Sequence, residues 1–281
     1  MSFFSMLADP ILGSVIIRAL IVGALVSVCA ALLGVNLVLK RYSMIGDGLS
    51  HVGFFALAVS SAFAFAGEVS LEISIVIVLA AAFLIQKLSD NGKMGGDAAI
   101  ALFSTGAVAV GVIIYDFTTG MTTDVCANMF GSSSVITLNN KDLIISVVLS
   151  AVVISLFVLF YNRIFSYTLD EDFAAATGIK VTLYKTLISL LVSVTVVLGM
   201  KMMGAIMISA LVIFPALTAM RVCRSFKGVV ICSAGVSLFC FILGFIIACT
   251  ASLQTGPAVI CVNIIAFLIF SIIGRIINGK R

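Results

Sequence analysis

The chain has 281 residues, of which 62% are hydrophobic and 10% are charged. A soluble domain carries about 25% charged residues, so this composition excludes a soluble globular protein and indicates an integral membrane protein. The formal net charge of +4 indicates basic anchors at one membrane surface. The seven cysteines show no Cys-x-x-Cys spacing and are interpreted as small buried hydrophobes rather than disulfides or zinc ligands.

Nine apolar segments are long enough to cross a bilayer, which takes about 20 residues of helix. They predict an all-α fold, a polytopic membrane helical bundle with about nine transmembrane helices, forming one transmembrane domain over residues 1–281. The predicted spans are 11–39, 44–66, 70–88, 97–117, 143–162, 181–200, 203–220, 228–250 and 256–275.

Basic residues predict the orientation, because they are enriched on the cytoplasmic side of membrane proteins. One set of connections holds Lys40, Arg41, Lys87, Lys93, Arg163, Lys180, Lys185, Arg221, Arg224, Lys227, Arg275, Lys280 and Arg281, and the other side holds Arg18, Lys141 and Lys201. We therefore expect the C-terminus inside and, with nine spans, the N-terminus outside. Merging or splitting one span would reverse the side of the N-terminus.

Residues 46–51 hold a carboxylate and the only histidine of the chain within an otherwise apolar region. On a helix, Asp47 and His51 stand one turn apart on one face, and both can ligate a divalent metal. Gly46, Ser50 and Gly53 form a neighbouring strip of small residues that would let another helix approach. Ionisable residues at membrane depth are rare and usually functional, so the pattern favours a metal site. The alternative is a buried Asp–His hydrogen bond that fixes two helices.

A second polar stretch, 169–178, lies in a connection on the basic side. Asp170 is a suitable N-cap, Glu171 lies in the first turn, and Gly178 suits the left-handed position after the last turn. Phe173 is a candidate apolar anchor. Three consecutive residues of high helix propensity lie between the caps: Ala174, Ala175 and Ala176. The pattern predicts a short, self-capped helix that docks on a cytoplasmic partner; the alternative is a simple connector.

The span 203–220 contains Ser209 and Pro215. Proline removes a backbone donor and kinks a helix. In a transporter such a kink can line the path, and it can equally be a packing feature in which a neighbouring hydroxyl satisfies the backbone. The sequence leaves both interpretations open.

The chain resembles the membrane permease subunit of ABC-type, binding-protein-dependent importers of zinc, manganese or iron. Gly48 departs from the family pattern, where alanine or threonine is more usual; this lowers helix propensity by about 1 kcal/mol and removes no ligand. Four stretches carry the resemblance in the family's order: Val38–Arg41 leading into Ile45–His51, Gly96–Ala101, Leu169–Gly178 and Met203–Ala216.

The resemblance implies an importer-type permease that forms a homodimer in a bacterial-type plasma membrane. Its partners would be cytoplasmic ATPase subunits and an extracytoplasmic metal-binding protein, with no nucleic acid and no permanently bound cofactor. It implies that Leu169–Gly178 couples to the ATPase and that Asp47 and His51 are the family's metal ligands. The chain would then be a transporter subunit and not an enzyme. No Gly-x-x-x-x-Gly-Lys-Ser motif occurs, so ATP hydrolysis would belong to another chain.

Ligand counting supports the dimer independently. One protomer offers one carboxylate and one imidazole at the motif, whereas closed metal sites usually take four or more ligands. A two-fold axis beside this helix would bring together two Asp and two His, and C2 is the commonest oligomeric symmetry. Oxygen and nitrogen donors suit Mn(II), Zn(II) or Fe(II) without choosing among them.

Two other classes of protein remain to be weighed. In an ion-gradient-driven secondary transporter, Asp47 and His51 would form a proton relay, but no inverted repeat is visible and few other intramembrane charges are present. In an intramembrane hydrolase, Ser50 and His51 would be nucleophile and base. Adjacent helical residues point about 100° apart, and no Gly-x-Ser-x-Gly elbow occurs, which disfavours the hydrolase.

Overall fold

The computed structural model describes residues 10–40, 44–63, 70–90, 96–119, 140–251 and 253–278. All regular secondary structure in these ranges is helical, which confirms the all-α class. The helices are α1 (Pro10–Leu39), α2 (Met44–Phe63), α3 (Ser70–Asp90), α4 (Gly96–Thr119), α5 (Asn140–Leu159), α6 (Tyr161–Leu169), α7 (Glu171–Ala176), α8 (Val181–Met203), α9 (Ala205–Val222), α10 (Phe226–Ala251) and α11 (Thr255–Asn278).

The predicted count of nine spans is not confirmed. In the described residues, six helices are long and apolar enough to cross a membrane, or seven if a bent pair counts as one span. The apolar parts of α2 and α3 are shorter, Met44–Ser60 and Ile73–Leu88. The predicted span 143–162 is interrupted, because α5 and α6 meet at an angle of 69°.

Helices α8 and α9 are separated by a single residue, Gly204. Its φ of 91° lies in a region that glycine adopts without steric cost and that other L-residues rarely adopt. The sequence prediction placed the break between residues 200 and 203, whereas α8 continues to Met203 and α9 begins at Ala205, so the break lies slightly later in the chain than expected.

The helices form two groups joined by α8 and α9. Helices α2, α3 and α4 pack together on one side, while α1, α9, α10 and α11 pack together on the other. Glycines permit the close helix crossings. A Cβ atom added at Gly34 of α1 would lie 1.9 Å from the carbonyl oxygen of Val212 on α9, and one added at Gly244 of α10 would lie 2.6 Å from Cα of Val259 on α11.

The cysteines differ in their surroundings. Cys29 and Cys240 are buried, as predicted for small hydrophobes, whereas Cys261 is exposed on α11. None of the described cysteines forms a disulfide.

Candidate metal site and coupling helix

The two candidate ligands lie in the first two turns of α2. Asp47 belongs to the first turn, where the helix dipole favours a negative charge, and His51 follows one turn later. Nε2 of His51 lies 3.6 Å from Oδ2 of Asp47. The structure therefore places both side chains on one face of α2, as expected. The separation exceeds the 2.7–3.2 Å typical of a hydrogen bond, so the two groups are adjacent without being locked together.

This pair is accessible, which does not fit a buried hydrogen bond between two helices. The Asp47 side chain is 40% exposed and that of His51 is 21% exposed. Nδ1 of His51 has no hydrogen-bond partner among the described residues. Within those residues, no third His, Cys, Asp or Glu joins the pair to form a metal-binding cluster. In the described part of the chain, the candidate site thus consists of two donors on an open face.

Small residues on the other faces of α2 determine how closely its neighbours pack. A Cβ added at Gly46 would lie 3.3 Å from Cγ1 of Val212 on α9, and one added at Gly53 would lie 2.8 Å from Cε of Met200 on α8. The predicted strip of small residues thus contacts two helices. Helices α8 and α9 thus pack closely against α2, while the side chains of Asp47 and His51 remain accessible.

Gly48, the departure from the family pattern, has a packing reason. A Cβ at this position would lie 2.5 Å from Cγ2 of Ile100 on α4. Real Cβ atoms essentially never approach so closely, so glycine at 48 and isoleucine at 100 are matched to each other. The sequence motif alone could not reveal this pairing.

Ser50 has a local structural role. It is buried, and its hydroxyl donates a 2.7 Å hydrogen bond to the backbone carbonyl of Asp47. Because this hydroxyl is hydrogen-bonded within its own helix, it is poorly placed to act as a nucleophile with His51 as its base. This further disfavours the hydrolase.

Helix α4, which packs against α2, is largely uncovered. Only 22% of the apolar stretch of α4 is buried within the chain, compared with 61% of that of α9. The exposed residues include small ones at helical spacing: Ala101, Thr105 and Ala109. An apolar groove of about 600 Å³ between α2, α3 and α4 reaches Phe55, one turn beyond His51. This surface is available to lipid or to another protein chain.

The short helix α7 has the predicted caps at both ends. Oδ1 of Asp170 accepts hydrogen bonds of 3.0 Å from the backbone N–H groups of Asp172 and Phe173. At the other end Gly178 has a φ of 82°. Its N–H donates to the carbonyl of Ala175, and the N–H of Ile179 donates to that of Ala174, both at 3.0 Å. This pair of bonds is a Schellman C-cap.

One side of α7 faces the bundle and the other side is free to meet a partner. Ala174 is fully buried, while Phe173 is 61% exposed and Ala175 is also exposed. Just before the helix, Leu169 is 60% exposed. The outer side of α7 therefore presents two large apolar side chains beside a slim alanine surface.

The sequence analysis considered Lys40 only as a basic residue of one membrane side and as part of the stretch 38–41. In the structure it joins α7 to the end of α1. Its Nζ lies 2.7 Å from Oε1 of Glu171 and 4.3 Å from the centre of the Tyr167 ring. The lysine side chain is only 15% exposed. Its position in the motif 38–41 was the one available signal, because Glu171 is 131 residues away in the sequence.

Ser209 and Pro215 both lie in the packed interior of α9. The Ser209 hydroxyl donates a 2.9 Å hydrogen bond to the carbonyl of Ile206, and the helix continues through Pro215. In this conformation both residues contribute to packing, and a role in lining the path stays a prediction.

The fold is that of a polytopic helical membrane protein. The sequence model of the ABC 3 transport family matches residues 13–274. The chain therefore belongs to the ABC 3 transport family, a family of permeases of metal transport systems.

Similar proteins come from several bacteria. A probable metal transport system membrane protein of Thermotoga maritima is 30% identical over 95% of this chain and 92% of its own length. The high-affinity zinc uptake system membrane protein ZnuB of Haemophilus influenzae is 26% identical over 91% of this chain and 96% of its own length. Other relatives are named for manganese and iron transport.

A solved structure has the same fold. The structure titled PsaBC from Streptococcus pneumoniae in complex with Fab superimposes with a TM-score of 0.83 at 26% identity. The superposition covers 95% of this chain and 94% of the solved chain. The similarity thus extends over nearly the whole permease.

Proposed function

We propose that this chain is the permease subunit of an ATP-driven importer of a divalent transition metal, and that it works as a homodimer. A separate cytoplasmic ATPase and an extracytoplasmic metal-binding protein complete the transporter. The observation that carries the proposal is the open Asp47–His51 face of α2. It offers two adjacent metal donors, 3.6 Å apart, in a chain whose relatives are metal transport proteins.

A second copy would complete the ligand set. Two donors are too few for a stable closed site, whereas two Asp and two His supply the four ligands that zinc usually takes. The uncovered face of α4 and the adjoining apolar groove lie on the same side of the protomer as Phe55, so a partner copy there would cover apolar surface next to the site. Small residues on that face would allow close helix packing without lipid between the copies.

The cargo is a divalent metal that accepts oxygen and nitrogen donors. Manganese, zinc and iron all do so, and a site completed by two-fold symmetry can release the ion when the two copies move apart. Loss of one half of the ligands would weaken binding sharply, because a Asp–His pair alone leaves most of the coordination sphere to water.

Helix α7 would transmit ATPase motion. Its exposed Phe173 and slim alanine surface suit a groove on a partner, and an aromatic anchor in a pocket is the usual centre of such an interface. The Lys40–Glu171 ion pair, 2.7 Å long, joins α7 to the end of α1, four positions before α2 begins at Met44. Movement of α7 would thereby reach the helix that carries the metal donors.

The test is metal uptake into proteoliposomes containing the permease, its ATPase and its binding protein. Asp47→Asn removes the carboxylate charge and His51→Gln replaces the imidazole by a weaker amide donor, and we expect uptake to fall to background while the proteins still insert. Asp116→Asn, near the other end of α4, is the matched control and should retain uptake. Normal uptake by both site variants at limiting metal would refute the ligand assignment.

The energy source is tested in the same vesicles. With ion gradients clamped, uptake should require ATP on the side of the membrane where the ATPase subunits are bound. Uptake that continues without ATP and stops when the gradients are collapsed would instead support a secondary transporter. Cysteines placed along the Asp47 face should crosslink between protomers; crosslinks confined to one chain would contradict the shared site.

A further inference from the structure

A second groove is lined by helices other than α2, which carries Asp47, and has no part in the proposed metal path. It lies between α1, the α5–α6 junction and α10, and its volume is about 460 Å³. Leu32, Phe157 and Val230 form its buried floor. The polar residues of its lining are Tyr161, Asn162 and Lys227. The groove thus combines an apolar interior with polar groups.

The polar end of the groove lies where the chain changes from apolar to charged. Helix α5 is apolar up to Leu159, and α6 turns away by 69° with Asn162 and Arg163 exposed. On the other wall, α10 begins at Phe226 and is followed at once by exposed Lys227. Tyrosine is enriched at membrane–water interfaces, and lysine and arginine are enriched in the cytoplasmic flanks of spans, so this polar end indicates the level of the headgroups. The groove therefore extends from the hydrocarbon to that level.

The apolar part of the groove faces outward. Val158 is 65% exposed, Leu159 is 74% exposed and Ile231 is 64% exposed. In a membrane these side chains meet hydrocarbon, so an acyl chain can enter the groove from the side. Among the described residues lining the groove, Lys227 is the only charged one, and no ion pair to it occurs in the described part of the chain. The groove offers a cation without an internal counterion.

We propose that this groove binds an anionic phospholipid. The phosphate would lie against the Lys227 ammonium and the Asn162 amide, and one acyl chain would pack on Val158 and Ile231. Basic pockets between transmembrane helices on the cytoplasmic side commonly bind anionic headgroups. A soluble anion would use the lysine alone and leave the apolar part of the groove unexplained.

The lipid would steady the segment that leads to α7. The Phe226 ring lies 5.6 Å from that of Tyr161 and 4.9 Å from that of Phe165, between ring centres. These contacts fasten α6 to the start of α10, and α6 runs directly into the Asp170 cap of α7. A lipid held between α6 and α10 would reinforce this junction. Its binding does not depend on the proposed function, although any effect on ATPase coupling does.

The experiment measures lipid retention by the purified full-length permease. Delipidated protein is titrated with phosphatidylglycerol or phosphatidylcholine of the same acyl chains, and bound lipid is counted by native mass spectrometry. We expect preferential binding of phosphatidylglycerol. Lys227→Ala should weaken it by about fivefold, the contribution of one lysine at an anionic surface. Ile231→Trp, which fills the apolar part, should reduce the binding of both lipids.

The control is Lys87→Ala, which removes the same charge from an exposed position on α3 outside the groove. Its phosphatidylglycerol binding should match the wild type. Equal binding of the two lipids by the wild-type protein would overturn the proposal, as would unchanged phosphatidylglycerol binding in Lys227→Ala or an equal loss in Lys87→Ala. Displacement of the lipid by millimolar inorganic phosphate would also overturn it, because the site would then recognise a free anion.

Discussion

Replacing Gly178 should uncouple the transporter through backbone strain alone. The residue has a φ of 82°, and a Cβ added there meets no described atom within 4 Å. The left-handed conformation costs most L-residues about 1–2 kcal/mol of conformational free energy. Asparagine tolerates it better because its side chain can hydrogen-bond locally. β-branched residues are the least tolerated. The C-cap of α7 should therefore weaken in the order Gly, Asn, Ala, Val.

The expected effect on ATPase binding follows from these energies. Each increase of about 1.4 kcal/mol in the free energy needed to order α7 lowers the affinity for the partner by about tenfold. We expect Gly178→Ala to weaken ATPase association by roughly tenfold and Gly178→Val by more, with Gly178→Asn closest to the wild type. The measurements are co-purification of the ATPase and metal-stimulated ATP hydrolysis in proteoliposomes. Metal binding at the Asp47 site should not change.

The order of the variants separates strain from bulk. Asparagine is larger than alanine, so a steric clash with the ATPase would make Gly178→Asn the worse of the two. Gly235→Ala is the control, since this glycine also has open space around it but lies within a helix, and its hydrolysis should be normal. If Gly178→Ala couples better than Gly178→Asn, or Gly178→Val couples normally, the strain argument is refuted.

Three further changes test the surface of α7 and the packing of the bundle. Ala175→Glu places a charge on the exposed side of α7 and should lower ATPase co-purification without affecting metal binding. Gly34→Ala sets a Cβ 1.9 Å from the carbonyl oxygen of Val212 and should cost about 1–3 kcal/mol, measured as reduced thermal stability in detergent. Gly48→Ala should lose stability for the same reason, and adding Ile100→Ala should restore much of it; no rescue would show that their contact is unimportant.

Local chemistry made much of α7 and of the candidate site predictable. The caps at Asp170 and Gly178 follow from residue types and spacings of a few positions, and the structure contains both hydrogen-bond patterns. The common face of Asp47 and His51 follows from helix periodicity alone. In each case the interacting groups are close in sequence, so no knowledge of the tertiary packing was needed.

Features that depend on distant contacts were not predictable. The bend between α5 and α6 contains neither glycine nor proline, and its residues are instead held by aromatic contacts, such as Phe160 with Tyr184 at 5.8 Å. A further contact at this junction is the 2.7 Å hydrogen bond from Arg163 to the Tyr184 hydroxyl. Because these partners lie on a different helix, hydropathy merged α5 and the start of α6 into one span.

The position of Lys40 explains why the motif before α2 includes a cation. Lys40 belongs to the chain segment between α1 and α2, yet its ammonium contacts Glu171 of α7 and the Tyr167 ring of α6. The same short segment thus connects the proposed ATPase contact to the first turn of α2, where Asp47 lies. An ion pair that is partly exposed contributes little stability on its own, so its main effect is to fix the position of α7 relative to the end of α1. In the proposed transporter, this segment would link the ATPase contact to the candidate metal site over only seven positions of sequence, from Lys40 to Asp47.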